Sequence, residues 1–184
     1  MSNQSLILFL TLGPKSYKVR KDFLIDQIQT WPTEWFVKFK LIVNTLDIGS
    51  AEVWYNVIHF TEGESNEQYG TRIPALFINK LKQKMAFFID YKRSDGTYTH
   101  YYSELNEPIE IGREYHIQFR SEAIVHNGQN IHKVSASVEG GAVSYEFAHN
   151  YYAEIFNNVK IYASDPWFES LKDTIKDLEI GPLN

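Results

Sequence analysis

The sequence of 184 residues contains no cysteine. That absence excludes disulfide bonds, thiolate metal sites and a cysteine nucleophile. It leaves the cellular compartment open, because a chain of this length buries enough surface to be stable without covalent links.

Positive charge is also scarce. The chain has 18 Lys and Arg residues against 23 Asp and Glu residues, a net charge of −5 and a pI near 5.7. No basic run exceeds residues 15–21, whereas proteins that bind nucleic acid concentrate Lys and Arg against the phosphate backbone. We therefore expect no nucleic-acid partner.

Long apolar runs are missing as well. Residues 6–12 resemble the apolar region of a signal peptide, but no positive charge precedes them and no small-residue cleavage site follows. The stretch is also too short to cross a bilayer, which takes about 20 residues. We interpret it as a first strand buried on both faces, and we expect no transmembrane segment.

Helical periodicity is absent too, apart from one helical turn that residues 169–176 could form. Apolar side chains instead recur at every second residue, most clearly where Lys38 and Lys40 are interleaved with Trp35, Val37, Phe39, Leu41 and Val43. Asp95–Gly96, Asn127–Gly128 and Gly140–Gly141 are turn signals between such runs.

These patterns predict an all-β chain with about twelve strands, forming a single domain over residues 1–184. They also predict one long strand region over residues 17–28 and a loop over residues 104–112. The expected centre of the core consists of six side chains: Val37, Phe39, Leu41, Tyr115, Ile117 and Phe119.

The last quarter of the chain carries a turn between two strands. Val159, Ile161 and Ala163 alternate with polar residues, and a second apolar run follows at residues 175–180. Between them, Asp165 and Trp167 flank Pro166, which fixes its own φ and disfavours a helix. We interpret this turn as a structural latch, with the aspartate accepting backbone hydrogen bonds and the tryptophan covering an apolar end of the fold.

Several blocks of sequence resemble a laminin-G-like, concanavalin A-like module, from about residue 15 to the C-terminus. The more specific ones are Tyr-Gly-Thr-Arg-Ile-Pro at 69–74 and Phe-Asn-Asn-Val-Lys-Ile-Tyr-Ala-Ser-Asp-Pro-Trp at 156–167. This variety of the module is associated with secreted and cell-surface proteins of marine invertebrates.

The resemblance implies a jelly-roll sandwich of two antiparallel sheets in which the first and last strands are adjacent. It also implies a secreted or cell-surface protein that binds a glycan or an extracellular protein, in some relatives with a structural Ca²⁺. Relatives usually carry an acid where this sequence has Thr71, which puts a cation site there in doubt. Some branches of the superfamily hydrolyse β-glucans.

Catalysis of that kind needs paired carboxylates that one strand presents on the same face. Asp22 and Asp26 have Leu24 between them where the middle acid should be, and no third acid precedes Asp177 and Glu179 on their run. We interpret both pairs as solvated faces of edge strands. We therefore predict a protein that is not an enzyme.

Recognition of a sugar uses aromatic rings beneath its apolar face and polar groups for its hydroxyls. The candidate ligand-binding residues are Trp54, Asn56, Tyr69, Tyr101, Tyr102, Tyr151 and Trp167. If two loops meet, Glu62, Glu64, Asn66 and Asp165 supply oxygen ligands for Ca²⁺. The prediction is a non-catalytic, lectin-like recognition or adhesion module. The alternative is a structural or self-assembly protein that contacts other proteins through its sheets.

Overall fold

The computed structural model describes residues 10–11, 15–46, 53–64, 68–92, 95–126, 129–139, 141–148 and 154–183. These residues form thirteen strands and no helix, which confirms the all-β prediction. In chain order the strands are β1 (Leu10–Thr11), β2 (Ser16–Lys18), β3 (Leu24–Trp31), β4 (Trp35–Ile42), β5 (Trp54–Thr61), β6 (Ala75–Asn79), β7 (Lys84–Lys92), β8 (Tyr98–Pro108), β9 (Glu114–His126), β10 (Gln129–Val138), β11 (Gly141–Ala148), β12 (Phe156–Tyr162) and β13 (Thr174–Pro182).

The strands form two antiparallel sheets. The seven-stranded sheet has the order β1-β13-β4-β9-β10-β11, and β2 also pairs with β13. The six-stranded sheet has the order β3-β12-β5-β6-β7-β8. Leu10 pairs with Ile180, so the first and last strands are adjacent, as the jelly-roll prediction required.

The core lies between the sheets, and its centre is where the alternation predicted it. Val37 pairs with Phe119, Phe39 with Ile117 and Leu41 with Tyr115, and all six side chains are buried. Opposed residues of an antiparallel pair lie on the same face. The ring of Phe87, from the six-stranded sheet, lies 4.9 Å from that of Phe119 and so joins the two layers.

Strand β13 departs from simple alternation at a bulge. The register shifts between Lys176 and Glu179, and Asp177 has a φ of 51°. An extra residue in one strand changes which face the following side chains occupy. Ile175 and Leu178 are therefore both buried although they are three residues apart.

Two sequence predictions were wrong. Residues 17–28 are not one strand region, because the chain turns at Asp22, whose φ is 58°, and passes from β2 in one sheet to β3 in the other. Residues 104–112 are not all loop, because β8 continues to Pro108. Of the predicted strand at residues 6–12, only Leu10 and Thr11 lie within the described residues, as β1.

The face assignment of β9 can be tested by a small change. Ile117 is buried opposite Phe39, so we expect Ile117→Val to lower the free energy of unfolding by about 0.5–1.5 kcal/mol, since it removes one buried methylene. Gln118→Ala, on the other face of the strand, should change it by less than about 0.5 kcal/mol. Urea unfolding of both variants measures this, and a larger effect at Gln118 would show that the faces are inverted.

Candidate functional site

The candidate site lies on the outer face of the six-stranded sheet, the face turned away from the core. Paired residues share a face, so the register identifies its members across β5, β6, β7 and β8. One row is Asn56, Phe77, Ala86 and Glu104, and the next is His59, Ala75, Phe88 and Tyr102. Asp90 and His100 follow as a third pair.

A loop over residues 163–171 covers the part of this face above β5 and β6. Ser164 N donates to the carbonyl of Val57 at 3.1 Å. The ring of Phe168 lies 4.9 Å from that of Phe77, and the ring of Trp167 lies 5.7 Å from that of His59. Beyond this loop Tyr102 of β8 is largely exposed, which places the accessible surface at the β7–β8 side of the sheet.

A buried ion pair holds the loop on the sheet. His59 Nδ1 lies 2.5 Å from Asp165 Oδ2, and both side chains are fully buried. Asp165 Oδ1 accepts the backbone N–H groups of Trp167 at 2.9 Å and Phe168 at 2.8 Å. Asp165 therefore accepts backbone hydrogen bonds, as the predicted latch required. The sequence did not predict its side-chain partner, which is His59.

Both ring nitrogens of His59 face acceptors. Nδ1 meets the Asp165 carboxylate, and Nε2 meets the backbone carbonyl of Thr71, which can only accept. A neutral imidazole has one N–H and can donate to only one of these acceptors, whereas a protonated ring donates to both. In either form the ring lies between two fixed acceptors.

A second carboxylate–histidine pair lies on β7 and β8. Asp90 Oδ1 lies 2.5 Å from His100 Nδ1, and Asp90 Oδ2 accepts the backbone N–H groups of Thr71 at 2.9 Å and Arg72 at 3.0 Å. Thr71 therefore contacts both pairs, with its carbonyl toward His59 and its N–H toward Asp90. The result is a continuous polar network from the covered to the open part of the face.

Three aromatic side chains form the open part, which we call the aromatic shelf: Trp54, Phe88 and Tyr102. The rings of Phe88 and Tyr102 are stacked with centroids 5.2 Å apart, and Trp54 meets them edge-on at 5.4 Å and 6.0 Å. Tyr102 is 53% exposed, so one ring of the shelf faces solvent.

Arg72 provides a cation beside the shelf. Its guanidinium lies 5.6 Å from the centroid of the Phe88 ring. Burial lowers the pKa of Arg72 from its ordinary value, and the negative charges of Asp90 and Asp165 oppose that shift. Its Nε is buried without a hydrogen-bond partner among the described residues. The shelf therefore combines stacked rings with a fixed positive charge.

The structure brings some of the predicted ligand-binding residues together. Trp54, Asn56, Tyr102 and Trp167 belong to the outer face or its covering loop, although Asn56 is fully buried and accepts a hydrogen bond from Asp165 N at 3.0 Å.

The other predicted ligand-binding residues lie elsewhere. Tyr101 pairs with Ile89 and contacts Tyr91, on the other side of β8. Tyr69 packs against Tyr98 and Phe156, and Tyr151 lies outside the described residues.

The predicted calcium ligands have other partners. Glu62 accepts the backbone N–H of Asn157 at 2.9 Å, Glu64 pairs with Lys160 at 3.0 Å, and Asp165 is fully buried against His59. Asn66 lies outside the described residues. In the part of the chain that the structure describes, no group of three or more His, Cys, Asp or Glu side chains could hold a metal ion. The calcium site stays a prediction.

Sequence reasoning missed His59, Arg72, Asp90 and His100. One signal was available for His100, because it alternates with Tyr102 along β8 and so shares its face. The pairing of His59 with Asp165 joins residues 106 positions apart and has no local signal.

Comparison with solved structures shows the fold. The native heptameric SAP-like pentraxin from Limulus polyphemus matches with a TM-score of 0.52 at 9% identity, over 92% of this chain and 77% of that chain. The endo-β-1,4-glucuronan lyase from the fungus Trichoderma reesei matches with a TM-score of 0.51 at 9% identity, over 99% and 89%. Domains LG4-5 of the mouse laminin α1 chain match with a TM-score of 0.48 at 12% identity, over 94% and 38%.

The pentraxin and lyase likenesses confirm the concanavalin A-like jelly-roll fold that the resemblance implied. The fold is shared by a pentraxin and by a lyase, so it does not decide between binding and catalysis. No family model matches the chain, and no curated protein matches it. Within the described residues, no helix is long and apolar enough to cross a membrane.

Proposed function

We propose that the chain is a non-catalytic recognition domain that binds a glycan on its outer face. The observation that carries the proposal is the aromatic shelf, whose exposed Tyr102 is stacked on Phe88 beside the guanidinium of Arg72. A stacked ring presents a rigid apolar surface at a low entropy cost, because its partner already restrains it.

The surroundings of the shelf suit a sugar. The apolar C–H face of the sugar would lie on Tyr102, with its hydroxyl groups toward polar side chains in the two neighbouring rows, such as His100 and Glu104. His100 is 32% exposed at the side chain and is oriented by Asp90, and Glu104 is held by Lys82 at 2.5 Å. Polar groups fixed by neighbours select an orientation of the ligand.

Two features argue against catalysis. The His59–Asp165 pair is fully buried, and a general acid or base must come within hydrogen-bond reach of the substrate. Neither carboxylate pair considered in the sequence forms the strand of a glucanase site, because Asp22 lies in a turn before β3 and Asp177 lies at the bulge of β13.

The proposal places the chain outside the cell or at its surface, where glycans and glycoproteins are available as partners. The lyase likeness names a protein of the same fold that acts on a polysaccharide, which supports a saccharide ligand on a sandwich of this kind.

Tyr102→Ala should weaken glycan binding about tenfold, since loss of one central aromatic contact typically costs more than 1 kcal/mol. Tyr101→Ala is the matched control, because this neighbouring tyrosine is also exposed but lies on the other side of β8. A glycan array of the purified chain would select the ligand, and calorimetry of the wild type and both variants would then compare affinities.

Three outcomes are informative. Weaker glycan binding by Tyr102→Ala but not by Tyr101→Ala supports the outer-face site. Equal loss of glycan binding in both variants contradicts it. Loss of binding with EDTA would support the predicted calcium site. An array without any ligand, together with concentration-dependent association in sedimentation, would favour the alternative of a self-assembly protein.

A further inference from the structure

A cavity lies away from the aromatic shelf, where β2 and the residues before β3 face the segment before β13. It has a volume of about 540 Å³ and shares no residue with the aromatic shelf. Tyr17 and Phe23 form its aromatic wall, with ring centroids 6.4 Å apart, and both rings pack against the core. Cavities of about 300–1,000 Å³ with apolar walls are the usual size and character of small-molecule sites.

The rim of the cavity is positively charged. Lys18, Arg20 and Lys172 line it, and all three are exposed. None of them has an ion-pair partner within 4.0 Å among the described residues. The guanidinium of Arg20 lies 4.3 Å from the centroid of the Phe23 ring, which orients it at the mouth. In a chain with a net charge of −5, three unpaired cations around one cavity attract an anion.

A buried carboxyl group lies in the wall. Asp173 is 2% exposed, and its Oδ2 has no hydrogen-bond partner among the described residues. Its Oδ1 accepts the backbone N–H of Asn44 at 3.3 Å, while Asn44 Nδ2 donates to the carbonyl of Lys172 at 2.7 Å. Burial raises the pKa of Asp173 to about 7, so below that pH the group is neutral and does not repel an anion.

We propose that this cavity binds a small aromatic acid. The aromatic ring of the ligand lies against Tyr17 and Phe23, and its carboxylate meets Arg20 with Lys18 or Lys172 at the rim. Charge-assisted hydrogen bonds to a guanidinium are about twice as strong as neutral ones, so the acid group supplies much of the affinity. The site is independent of glycan binding on the outer face.

Indole-3-acetate is a suitable probe, and indole-3-acetamide is its neutral counterpart. Each would be titrated into the full chain, with binding followed by the backbone amide resonances. We expect the acetate to shift resonances of residues 17–23 and 172–174, and the acetamide to bind about tenfold more weakly. Arg20→Gln should weaken the binding of indole-3-acetate by a similar factor. Lys21→Gln is the matched control, because the adjacent Lys21 pairs with Glu169 at 2.8 Å and does not line the cavity.

Arg20 is exposed, so its replacement should leave the fold intact, and the wild-type shifts locate the site without any variant. Phe23→Leu adds a test of the aromatic wall. Equal binding of acetate and acetamide, shifts centred on Phe88 and Tyr102, or no binding at millimolar probe would each overturn the proposal. Tyr102→Ala is expected to leave acetate binding unchanged, so the two sites succeed or fail separately.

Discussion

Asp165→Ala should lower the free energy of unfolding by about 3–5 kcal/mol, because breaking a buried ion pair leaves an uncompensated charge. The aspartate is fully buried, lies 2.5 Å from His59 Nδ1 and accepts two backbone N–H groups of its own loop. Its removal leaves His59 Nδ1 and the backbone N–H groups of Trp167 and Phe168 without their acceptor.

Glu169→Ala is the matched control for Asp165→Ala. Glu169 is a carboxylate on the same loop and lies 2.8 Å from a cation, Lys21, but both side chains are about half exposed. Exposed ion pairs contribute at most about 1 kcal/mol to the free energy of unfolding. Thermal and urea unfolding of both variants measures the contrast. Similar losses of unfolding free energy in Asp165→Ala and Glu169→Ala would mean that the His59–Asp165 pair does not hold the loop.

Asp173→Asn should stabilise the protein above neutral pH by roughly 4 kcal/mol. Burial raises the pKa of Asp173 from 3.8 to about 7. Between these values the folded protein holds a proton that the unfolded chain has lost, so the free energy of unfolding falls as the pH rises through this range. Asparagine keeps the acceptor for Asn44 N and cannot ionise.

The stabilisation by Asp173→Asn should be nearly absent at about pH 3 and complete at about pH 8, since at the lower pH the Asp173 carboxyl is protonated in both the folded and the unfolded protein. Glu110→Gln is the control, because it removes an exposed carboxylate, paired with Arg113, in place of a buried one. Urea unfolding at a series of pH values gives the comparison. A difference between Asp173→Asn and the wild type that does not change with pH would contradict the buried-carboxyl account.

Local alternation predicted most of the sandwich. Lys38 and Lys40 between apolar residues identified β4 and its buried face, because a strand with one face in the core needs that pattern. The turn at Asp22 gave no such signal. Phe23 and Ile25 continue the alternation, and only the backbone shows that Asp22 takes the left-handed region, which aspartate tolerates better than most residues.

The extension of β8 to Pro108 has a different cause. Polar residues and a proline after Ser103 are typical of a loop, but β8 is an edge strand of its sheet and, among the described strands, pairs only with β7. Edge strands accept proline and charged residues because one side of their backbone needs no ladder partner. Composition alone cannot distinguish such an edge strand from a loop.

The sequence predicted only part of the candidate site. Trp54 and Tyr102 were among the predicted ligand-binding residues, and in the structure Tyr102 stacks on Phe88 while Trp54 meets Phe88 edge-on. The polar groups that border the shelf depend on pairing between distant segments. The Asp90 carboxylate accepts the backbone N–H of Arg72, and the two residues are 18 positions apart in the sequence. Sequence periodicity does not encode such a contact.

The most direct test of the outer-face site is an NMR titration with the oligosaccharide that the array selects. The side-chain indole N–H of Trp54 reports on the aromatic shelf, and that of Trp31, which is fully buried in the core, is an internal control. We expect the Trp54 resonance and the amides of Phe88, His100 and Tyr102 to shift with the ligand while Trp31 stays unchanged. Binding that shifts Trp31 or leaves Trp54 unchanged would contradict the proposed site.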